Sequence, residues 1–381
     1  MSDILCFSHL RWNFVYQRPQ HLLSRFSRLN RVIFWEEPVF DSFYDYNEVS
    51  KDENSNVWII LPHIRAGLKL EEIAEAQKRM LDQAIETMEV TNYILWYYSP
   101  MALLFSGHLQ LQSRLTVYDC MDELSAFKFA SPLLKQQEEK LFRNADIVFT
   151  VGVSLYESKK RHHINIHPFP SSIDKEHFFT ARVKKEEPAD QKNIPGPRFG
   201  FYGVIDERIN IDLLQKMAEM KPEWQFILVG PIVKIDPDSL PRKNNIHFLG
   251  KKSYNELPHY LSGSDIAIMP FALNESTQFI SPTKTPEFLA GGKPVISTSI
   301  KDVIQPYGEN GLVRIADNAD EFIKAAEIEL QNKADTKWLG KVDTYLSGIS
   351  CDKTWRSMNQ LMNDTIVEKD IENAKNPELY V

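Results

Sequence analysis

Short apolar runs alternate with amphipathic stretches along the first half of the chain. The runs are apolar on both faces, which is typical of parallel strands covered by helices. Strands are predicted at residues 4–7, 32–35, 57–61, 94–98, 115–118, 147–151 and 166–169. Helices are predicted at 20–28, 71–88, 133–143 and 154–161. This alternation predicts an α/β fold with a doubly wound parallel sheet.

The same pattern restarts after a polar, proline-containing segment at 184–197, which is the best linker candidate in the chain. Further strands are predicted at 199–204, 225–229, 246–249, 266–269, 295–297 and 312–315. Further helices are predicted at 211–220, 254–261, 286–290 and 319–330. The second half therefore predicts a second doubly wound sheet.

Two such sheets predict two domains, 1–180 and 198–348, joined by a linker at 181–197. Where two doubly wound sheets face each other, the carboxyl ends of their strands line the cleft between them. The C-terminal helix at 352–381 is expected to pack back on the first domain, and its polar end from residue 371 is expected to fray.

Composition is that of an ordinary soluble protein: 381 residues, 43% hydrophobic and 25% charged. This length is sufficient for two domains with separate cores. The net charge of −8 argues against a general nucleic-acid binder.

Three cysteines far apart in sequence, Cys6, Cys120 and Cys351, argue for a reducing compartment and against a disulfide framework or zinc site. The first residues lack a basic leader and predict a strand rather than a signal peptide. No apolar stretch approaches the roughly 18–20 residues of a membrane span. These features predict a cytoplasmic protein.

Two nucleotide-binding motifs are absent. Without GxGxxG a dehydrogenase-type dinucleotide fold is not expected, and without GxxxxGK[ST] a P-loop is excluded. Asp236 and Asp238 have DxD spacing, but their proline-rich surroundings favour a turn over a metal site. No metal ligand is therefore predicted.

Residues 281–296 indicate a loop, a short helix, a Gly-Gly turn and a buried strand, with Ser281 or Thr283 as the helix cap. A helix start attracts anions because its free N–H groups and dipole point outward. Lys284 adds a cation there for phosphate, and Glu287 can accept hydrogen bonds from both hydroxyls of a ribose. Together they suit a nucleoside diphosphate. The alternative is an ordinary connection with an exposed Lys–Glu pair at three-residue spacing.

The loop at 8–18 is longer than the usual roughly two to six residues of a strand–helix connection. It carries His9, Arg11, Trp12 and Arg18. Aromatic faces and guanidinium groups suit sugar rings and anionic acceptors, so Arg11, Trp12 and Arg18 are predicted acceptor contacts. The alternative is a loop whose aromatic residues pack on the first helix.

Three carboxylates, Asp119, Asp122 and Glu123, follow the predicted strand at 115–118. Such groups repel one another unless they are paired or partly protonated. Asp119 and Asp122 are therefore candidates for a general base or for an acceptor of hydrogen bonds from sugar hydroxyls. The alternative is that either aspartate caps the next helix, with Glu123 in its first turn.

Together, these residues resemble the GT-B class of nucleotide-sugar glycosyltransferases, especially the large retaining family known as glycosyl transferase group 1. The resemblance runs along nearly the whole chain, and its second half carries the more specific motifs. The opening Phe-Ser-His-Leu-Arg-Trp…Gln-Arg-Pro-Gln-His pattern is similar to a bacterial subgroup linked to surface polysaccharide synthesis. The resemblance implies two Rossmann-like domains facing across a cleft.

The resemblance also implies a donor site. Glu287 matches the family glutamate that binds the nucleotide ribose, and Lys284 matches a lysine near the phosphates. Arg208 lies in a loop that starts at Gly203, and it matches a basic residue that grips the diphosphate. This loop follows a predicted strand, so it is expected at the carboxyl edge of the sheet.

Two further segments are similar to the family. The turn at 250–253, with Lys251 and Ser253, corresponds to a turn that frames the nucleobase through its backbone. Residues 170–174 resemble the segment that ends the first domain.

One feature departs from the family pattern. Many relatives carry two glutamates eight positions apart, but position 279 is Phe here, and the nearest acid upstream is Glu275. The contact to the donor sugar is therefore expected from Glu275, from the loop that begins at Thr277, or from neither.

The resemblance implies a hexosyltransferase-like enzyme of EC class 2.4 that uses a nucleotide-diphosphate sugar, with UDP-sugar as the expected donor. The expected acceptor is a polysaccharide or a lipid-linked saccharide. A retaining, metal-independent reaction without a cofactor is expected, in which the leaving phosphate takes the acceptor's proton. If the reaction inverts, Asp119, Asp122 or His9 is the expected catalytic base.

Two other functions remain open: a nucleotide-sugar epimerase of similar fold, and a non-catalytic module that binds a nucleotide or glycan. The long aromatic loop favours an acceptor and hence a transferase. No nucleic-acid partner is expected. A peripheral contact with the inner membrane face through the basic run 159–161 is left open.

Overall fold

The computed structural model describes residues 2–183, 186–332 and 335–375. Residues 184–185 of the predicted linker and 376–381 of the predicted tail lie outside the described residues. The strands are β1 Asp3–Phe7, β2 Val32–Trp35, β3 Val39–Ser42, β4 Tyr46–Lys51, β5 Val57–Arg65, β6 Tyr93–Tyr97, β7 Leu115–Cys120, β8 Ile147–Thr150, β9 Ile166–Pro168, β10 Arg198–Tyr202, β11 Gln225–Val229, β12 Ile246–Phe248, β13 Ile266–Met269, β14 Val295–Ser297 and β15 Arg314–Ile315.

Helices precede, connect and follow these strands. The α-helices are α1 Arg18–Phe26, α2 Leu70–Thr87, α3 Leu103–Ser106, α4 Leu134–Asn144, α5 Val153–Lys159, α6 Lys175–Val183, α7 Ile211–Met220, α8 Leu257–Ser262, α9 Lys284–Ala290, α10 Lys301–Val303, α11 Ala319–Gln331, α12 Thr336–Leu346 and α13 Cys351–Lys375. Short 3-10 segments lie at Pro100–Ala102, Gly107–Gln112, Leu124–Ala126, Pro237–Ser239 and Tyr254–Glu256, and a π-type turn lies at Ile304–Gly308.

Contacts divide the described chain into two compact units. The first holds the chain up to Val151, Leu155–Phe169 and the segment from Cys351 onward, and the second holds Gly152–Ser154 and Pro170–Ser350. Helix α6 therefore belongs to the second unit, although the predicted first domain ran to residue 180. Helix α13 belongs to the first unit, where Met358 is fully buried in the hydrophobic core.

The first unit is built on a sheet with strand order β3-β5-β2-β1-β6-β7-β8-β9, in which these strands are parallel. Strand β4 pairs with β5 in the antiparallel direction. In the centre of the sheet, Cys6 lies opposite Phe34 on β2 and Trp96 on β6. These side chains form a buried core with residues of α1 and α13.

The second unit contains a parallel sheet with strand order β12-β11-β10-β13-β14-β15. The chain winds outward in one direction from β10 and then in the other from β13. Buried Phe199, Phe226 and Phe288 belong to its core. These two sheets confirm the predicted α/β fold class.

At the edge of the first sheet, His63 on β5 lies between two carboxylates. Its Nδ1 is 2.8 Å from Asp41 Oδ1, and its Nε2 is 3.1 Å from Glu48 Oε2. Its ring stacks on Tyr46, with centroids 4.4 Å apart. Burial lowers the pKa of His63, but the hydrogen bonds and charges of Asp41 and Glu48 outweigh burial and hold the pKa above its ordinary value.

We therefore expect His63 to make folding stability fall as pH rises. Its contribution is fully present below its unfolded-state pKa of about 6.5, and it is lost as pH rises through the higher folded-state pKa. The contribution is at most about 1 kcal/mol per pair, because both carboxylates are largely exposed. Thermal unfolding of the wild type and His63→Gln between about pH 5 and 9 measures it.

His167→Gln is the matched control for this titration. Burial lowers the pKa of His167, as does the neighbouring His163, so its contribution has the opposite sign and is lost as pH falls. If the stability of the wild type and that of His63→Gln changed with pH by the same amount across this range, the titration could not be assigned to His63.

Candidate active site

The strand order of the second sheet leaves a crevice between β10 and β13, where the winding reverses. Ligands of doubly wound sheets bind outside the carboxyl ends of the strands at such a switch point. The loop after β10 and the loop after β13 both leave the sheet here. Backbone hydrogen bonds tie them together: Asn210 N–H donates to Pro270 O, and Ala272 N–H donates to Arg208 O, each at 2.8 Å.

Glycines allow close backbone approach at the carboxyl ends of β10, β11 and β12. Gly203 and Gly230 have φ values of +150° and +152°, a region that favours glycine. A Cβ atom on Gly230 would lie 1.7 Å from the Gly203 carbonyl oxygen. Gly230 N–H also donates to Gly250 O at 2.9 Å. This edge of the sheet therefore presents backbone rather than side chains.

Helix α9 brings Lys284 and Glu287 together beside Tyr202. Lys284 Nζ lies 3.1 Å from Glu287 Oε2 and 5.1 Å from the centroid of the Tyr202 ring. The Lys284 side chain is 18% exposed and that of Glu287 is 4% exposed. Burial raises the pKa of Tyr202, and the Glu287 carboxylate raises it further. A cation and a carboxylate are thus held in a mostly buried pair.

The Lys284–Glu287 pair and the helix that carries it differ in part from what the sequence predicted. The two residues form an ion pair at three-residue spacing, as the ordinary-connection alternative stated, but it is not exposed. The helix begins at Lys284 rather than at residue 286, and Thr283 at the N-cap position makes no capping hydrogen bond through its side chain. Ser281 contributes its carbonyl oxygen, which accepts from Ser171 Oγ at 2.6 Å.

Arg208 is oriented by Asp206, two residues before it. Arg208 Nε lies 3.0 and 3.1 Å from the two carboxylate oxygens of Asp206, and Arg208 Nη2 donates to Oδ2 at 2.7 Å. Asp206 is 6% exposed and Arg208 25% exposed at the side chain. The guanidinium is therefore preoriented at the carboxyl edge of the sheet and partly open to solvent.

The two predicted donor-sugar residues lie in different surroundings. Thr277 is 1% exposed, and its Oγ1 donates to Ala272 O at 2.5 Å. Glu275 is exposed on the same loop. Thr277 thus holds the loop that is tied to Arg208, whereas Glu275 carries the accessible carboxylate.

The turn after β12 places Lys251 and Ser253 on the surface. Ser253 opens the segment Tyr254–Glu256 with a capping box, in which its backbone N–H and its Oγ both donate to Glu256 Oε2, at 2.8 and 2.7 Å. The turn begins at Gly250, so its backbone is joined to Gly230 and through it to Gly203.

In the first unit, the predicted acceptor residue Arg18 and the predicted catalytic residue Asp119 form a buried ion pair. Arg18 Nε lies 3.0 Å from both Asp119 oxygens, and Arg18 Nη1 donates to Phe169 O at 3.1 Å. Burial raises the pKa of Asp119, while Arg18 lowers it. The expectation that Asp119 follows the strand end is wrong, because β7 extends to Cys120 and Asp119 is fully buried within it.

Trp12 does not lie on the surface where the acceptor prediction placed it. It is 5% exposed and packs edge-on against Phe34 in the core, with centroids 5.1 Å apart. Its backbone N–H donates to Glu36 Oε1 at 2.7 Å. Arg11 is partly exposed, and its Nη1 lies 3.0 Å from Glu36 Oε2. Trp12 therefore packs in the core, as the alternative stated in general, but the ring that it contacts, Phe34, belongs to β2 rather than to the first helix.

The other predicted bases, His9 and Asp122, are partly exposed just after β1 and β7. Glu123 is not left to repel its neighbours, because Lys159 Nζ lies 2.8 Å from both Glu123 Oε2 and Glu138 Oε2. The Lys159 side chain is only 7% exposed. Within the basic run at 159–161, Lys159 is therefore not available to a lipid surface.

Cys6, Cys120 and Cys351 are all buried, and none of them forms a disulfide. Across residues 2–183, 186–332 and 335–375, no group of three or more His, Cys, Asp or Glu side chains is arranged to hold a metal ion. None of the helices in those ranges combines the length and hydropathy that crossing a bilayer requires.

A cavity of 1350 Å³ in the second unit lies at the opposite edge of the sheet, around residues 291–295 that lead into β14. Two of the cations that line it already bind protein carbonyls. Lys293 Nζ donates to Ser262 O and Ser264 O at 2.9 and 2.6 Å, and Arg182 Nε donates to Ala290 O at 2.6 Å. The size of this cavity therefore does not make it the candidate site.

Sequence reasoning missed Tyr202, Asp206 and Gly230. Gly230 directly follows the predicted strand at 225–229, so its place at the sheet edge was a usable signal. Asp206 lies two residues before Arg208 and could have been read as its partner. Tyr202 is the last residue of β10, and its closeness to Lys284 requires the tertiary fold.

Part of the second unit matches a known protein family. Residues 196–332 match the family described as glycosyl transferases group 1. A relative from Bacillus subtilis (strain 168), TuaH, described as a candidate teichuronic acid biosynthesis glycosyltransferase, is 26% identical over 264 residues. That match covers 63% of this chain and 64% of the relative, less than two thirds of its length.

Solved structures define the fold class. Sucrose-phosphate synthase from Thermosynechococcus elongatus is 16% identical with a TM-score of 0.71, covering 97% of this chain and 100% of that one. Anabaena Alr3699/HepE in complex with UDP is 12% identical with a TM-score of 0.65, covering 96% and 100%. The fold is that of the GT-B glycosyltransferases.

Proposed function

We propose that this chain is a glycosyltransferase that moves a sugar from a nucleotide-diphosphate sugar, expected to be a UDP-sugar, to a polysaccharide or lipid-linked acceptor. The observation that carries the proposal is the mostly buried Lys284–Glu287 pair beside Gly203 at the β10–β13 switch point. This pair lies in the region that matches group 1 glycosyltransferases. The UDP complex of HepE and the name of TuaH support the same donor and acceptor classes.

The proposed donor site separates two tasks. Glycosyl transfer builds negative charge on the leaving diphosphate, and cations aimed at that charge lower the barrier. We assign Lys284 and Arg208 to the diphosphate, and Glu287 to the ribose hydroxyls. Glu287 already orients Lys284, and Asp206 already orients Arg208, so little reorganisation is needed. A preorganised donor of this kind contributes ~3–4 kcal/mol in the transition state.

We propose a retaining reaction that needs no metal. The bond from the anomeric carbon to the diphosphate oxygen breaks, and a bond from the acceptor oxygen to the anomeric carbon forms on the same face. The leaving phosphate takes the proton of the acceptor hydroxyl. If the configuration inverts, a protein base is required. His9 and Asp122 are then the partly exposed candidates, while the buried pair with Arg18 favours a positioning role for Asp119.

The first unit is proposed to hold the acceptor through Arg11 and the rest of the loop at 8–18, which ends at Arg18 and its ion pair with Asp119. The reaction is proposed to take place in the cytoplasm, because three buried cysteines without a disulfide suit a reducing compartment. We propose that the protein contacts the inner membrane face only when its acceptor is bound to the membrane.

The experiment is a transfer assay with a panel of UDP-hexoses and two acceptor pools, one of soluble oligosaccharides and one of lipid-linked saccharides. Release of UDP and the mass of the product are followed with and without EDTA. We expect acceptor-dependent UDP release that EDTA does not change, and NMR of the product will show the donor's anomeric configuration retained.

Other outcomes separate the competing functions. A donor that is converted to its epimer without an acceptor indicates an epimerase. Tight UDP-sugar binding without turnover in either acceptor pool indicates a binding module. An inverted product keeps the transferase assignment but requires a base from the first unit.

A further inference from the structure

The first unit contains an apolar cavity of 290 Å³ at the carboxyl ends of its central strands. Phe7 at the end of β1 and Trp35 at the end of β2 line it, together with Phe105 of α3. The Phe7 and Phe105 rings meet edge-on with centroids 5.7 Å apart, and Trp35 lies 6.1 Å from Phe105. These three rings form an aromatic floor that is nearly inaccessible to solvent.

One face of helix α2 closes the cavity. Leu70, Ile73, Ala74 and Gln77 line it, and this spacing places their side chains on one helix face. Leu70 at the mouth is 41% exposed, and Phe40 beside it is 47% exposed. Two large apolar side chains thus flank an open entrance.

The cavity lies at a switch point of the first sheet. In the strand order β2-β1-β6, the chain reaches β2 on one side of β1 and β6 on its other side. Ser8 after β1 and Ser99 after β6 both line the cavity. Ligands of doubly wound sheets bind at this position.

The charge of the lining selects among ligands. Glu37 is exposed at the rim with Glu36 buried beside it, and the lining residues within the described chain include no Lys, Arg or His. Arg11 and the Trp12 N–H hold the Glu36 carboxylate in place at 3.0 and 2.7 Å. Carboxylates accept hydrogen bonds from sugar hydroxyls but repel phosphates. The rim therefore suits a neutral sugar, and the floor suits a hydrocarbon group.

We propose that this cavity binds the hydrocarbon aglycone of a neutral glycoside, with the sugar at the Glu36–Glu37 rim. The role of this glycoside as the acceptor rests on the proposed function, whereas its binding does not. The hydrocarbon is either an alkyl chain or an aryl ring, and both fill an aromatic-floored apolar cavity.

The test compares methyl, octyl and phenyl β-glucosides, below micelle-forming concentrations and without nucleotide. Calorimetry and the change in tryptophan fluorescence report binding, and Trp35 is the tryptophan that lines the cavity. Each buried methylene strengthens binding roughly fourfold, so octyl glucoside is expected to bind more than about tenfold tighter than methyl glucoside. If octyl glucoside gains more affinity over methyl glucoside than phenyl glucoside does, the hydrocarbon is an alkyl chain. If phenyl glucoside gains more, the hydrocarbon is an aryl ring.

Ala74→Phe fills the cavity and is expected to reduce the octyl and phenyl affinities to that of methyl glucoside. Ala84→Phe adds the same side chain to α2 outside the cavity lining and is expected to leave all affinities unchanged. Leu70→Ser at the half-exposed mouth provides a second variant whose folding does not depend on the core, with an expected loss of roughly tenfold for octyl glucoside.

Octyl and phenyl glucosides that bind no tighter than methyl glucoside would overturn the proposal. So would a hydrocarbon preference that survives unchanged in folded Ala74→Phe and Leu70→Ser. UDP titrations on the same samples keep the two proposals separate. Absence of UDP binding with intact hydrocarbon-dependent binding contradicts the glycosyltransferase function and supports the cavity assignment.

Discussion

Replacing Lys284 with Met will weaken UDP binding by roughly 10- to 150-fold, the range for a hydrogen bond to a charged group. Met keeps the length of the side chain but removes the charge that we assign to the diphosphate. Turnover will fall by roughly 10²- to 10³-fold, because the same cation stabilises the leaving group in the transition state. Calorimetric titration with UDP and steady-state rates with the preferred donor measure the two effects.

Lys221→Met is the matched control, since Lys221 also pairs with a glutamate, Glu327, at 2.7 Å, but precedes the amino end of β11. UDP affinity and turnover are expected to stay at the wild-type level in this variant. Glu287→Gln should weaken UDP binding about tenfold, because an amide is a poorer acceptor for ribose hydroxyls than a carboxylate. Wild-type affinity in folded Lys284→Met would remove Lys284 from the donor site.

Replacing Arg18 with Met will destabilise the first unit by about 3–5 kcal/mol, the cost of leaving a buried charge without its partner. Asp119 is fully buried and Arg18 is its cation at 2.9–3.0 Å, so no solvent can replace the guanidinium. Loss of the hydrogen bond to Phe169 O adds about 1 kcal/mol. Urea unfolding at constant pH measures the change.

The double variant Arg18→Met/Asp119→Leu is expected to recover most of that loss, because replacing both members of a buried pair with apolar residues is often neutral or stabilising. Arg28→Met, which removes an exposed arginine paired with Asp352 at 3.6 Å, should change stability by no more than about 1 kcal/mol. Arg18→Met as stable as Arg28→Met would refute the buried-charge argument. Residual transfer by the stable double variant would show that Asp119 is not the catalytic base.

Most of the fold could be predicted because its strands are local apolar runs. β2, β11, β13 and β14 have the predicted bounds, since each is buried along its whole length. The strands β3 and β4 could not be predicted from the same signal, because their side chains are mostly exposed and polar. Their strand conformation comes from pairing with β5, which is a tertiary contact.

The candidate site likewise contains one pair that could be predicted from local sequence and one that could not. Lys284 and Glu287 are three residues apart on one helix, so their pairing follows from local geometry. Arg18 and Asp119 are 101 residues apart, and only the sheet brings them together. Trp12 was placed wrongly because an aromatic residue in a long loop has the same local pattern whether it faces solvent or the core.

The most direct test of the central claim is binding of UDP, GDP, ADP, dTDP and CMP to the wild-type chain, followed by thermal shift with and without EDTA. We expect stabilisation by a nucleoside diphosphate, expected to be UDP, that survives EDTA and is lost in Lys284→Met. No shift with any of these nucleotides would contradict a nucleoside-diphosphate site at the β10–β13 switch point.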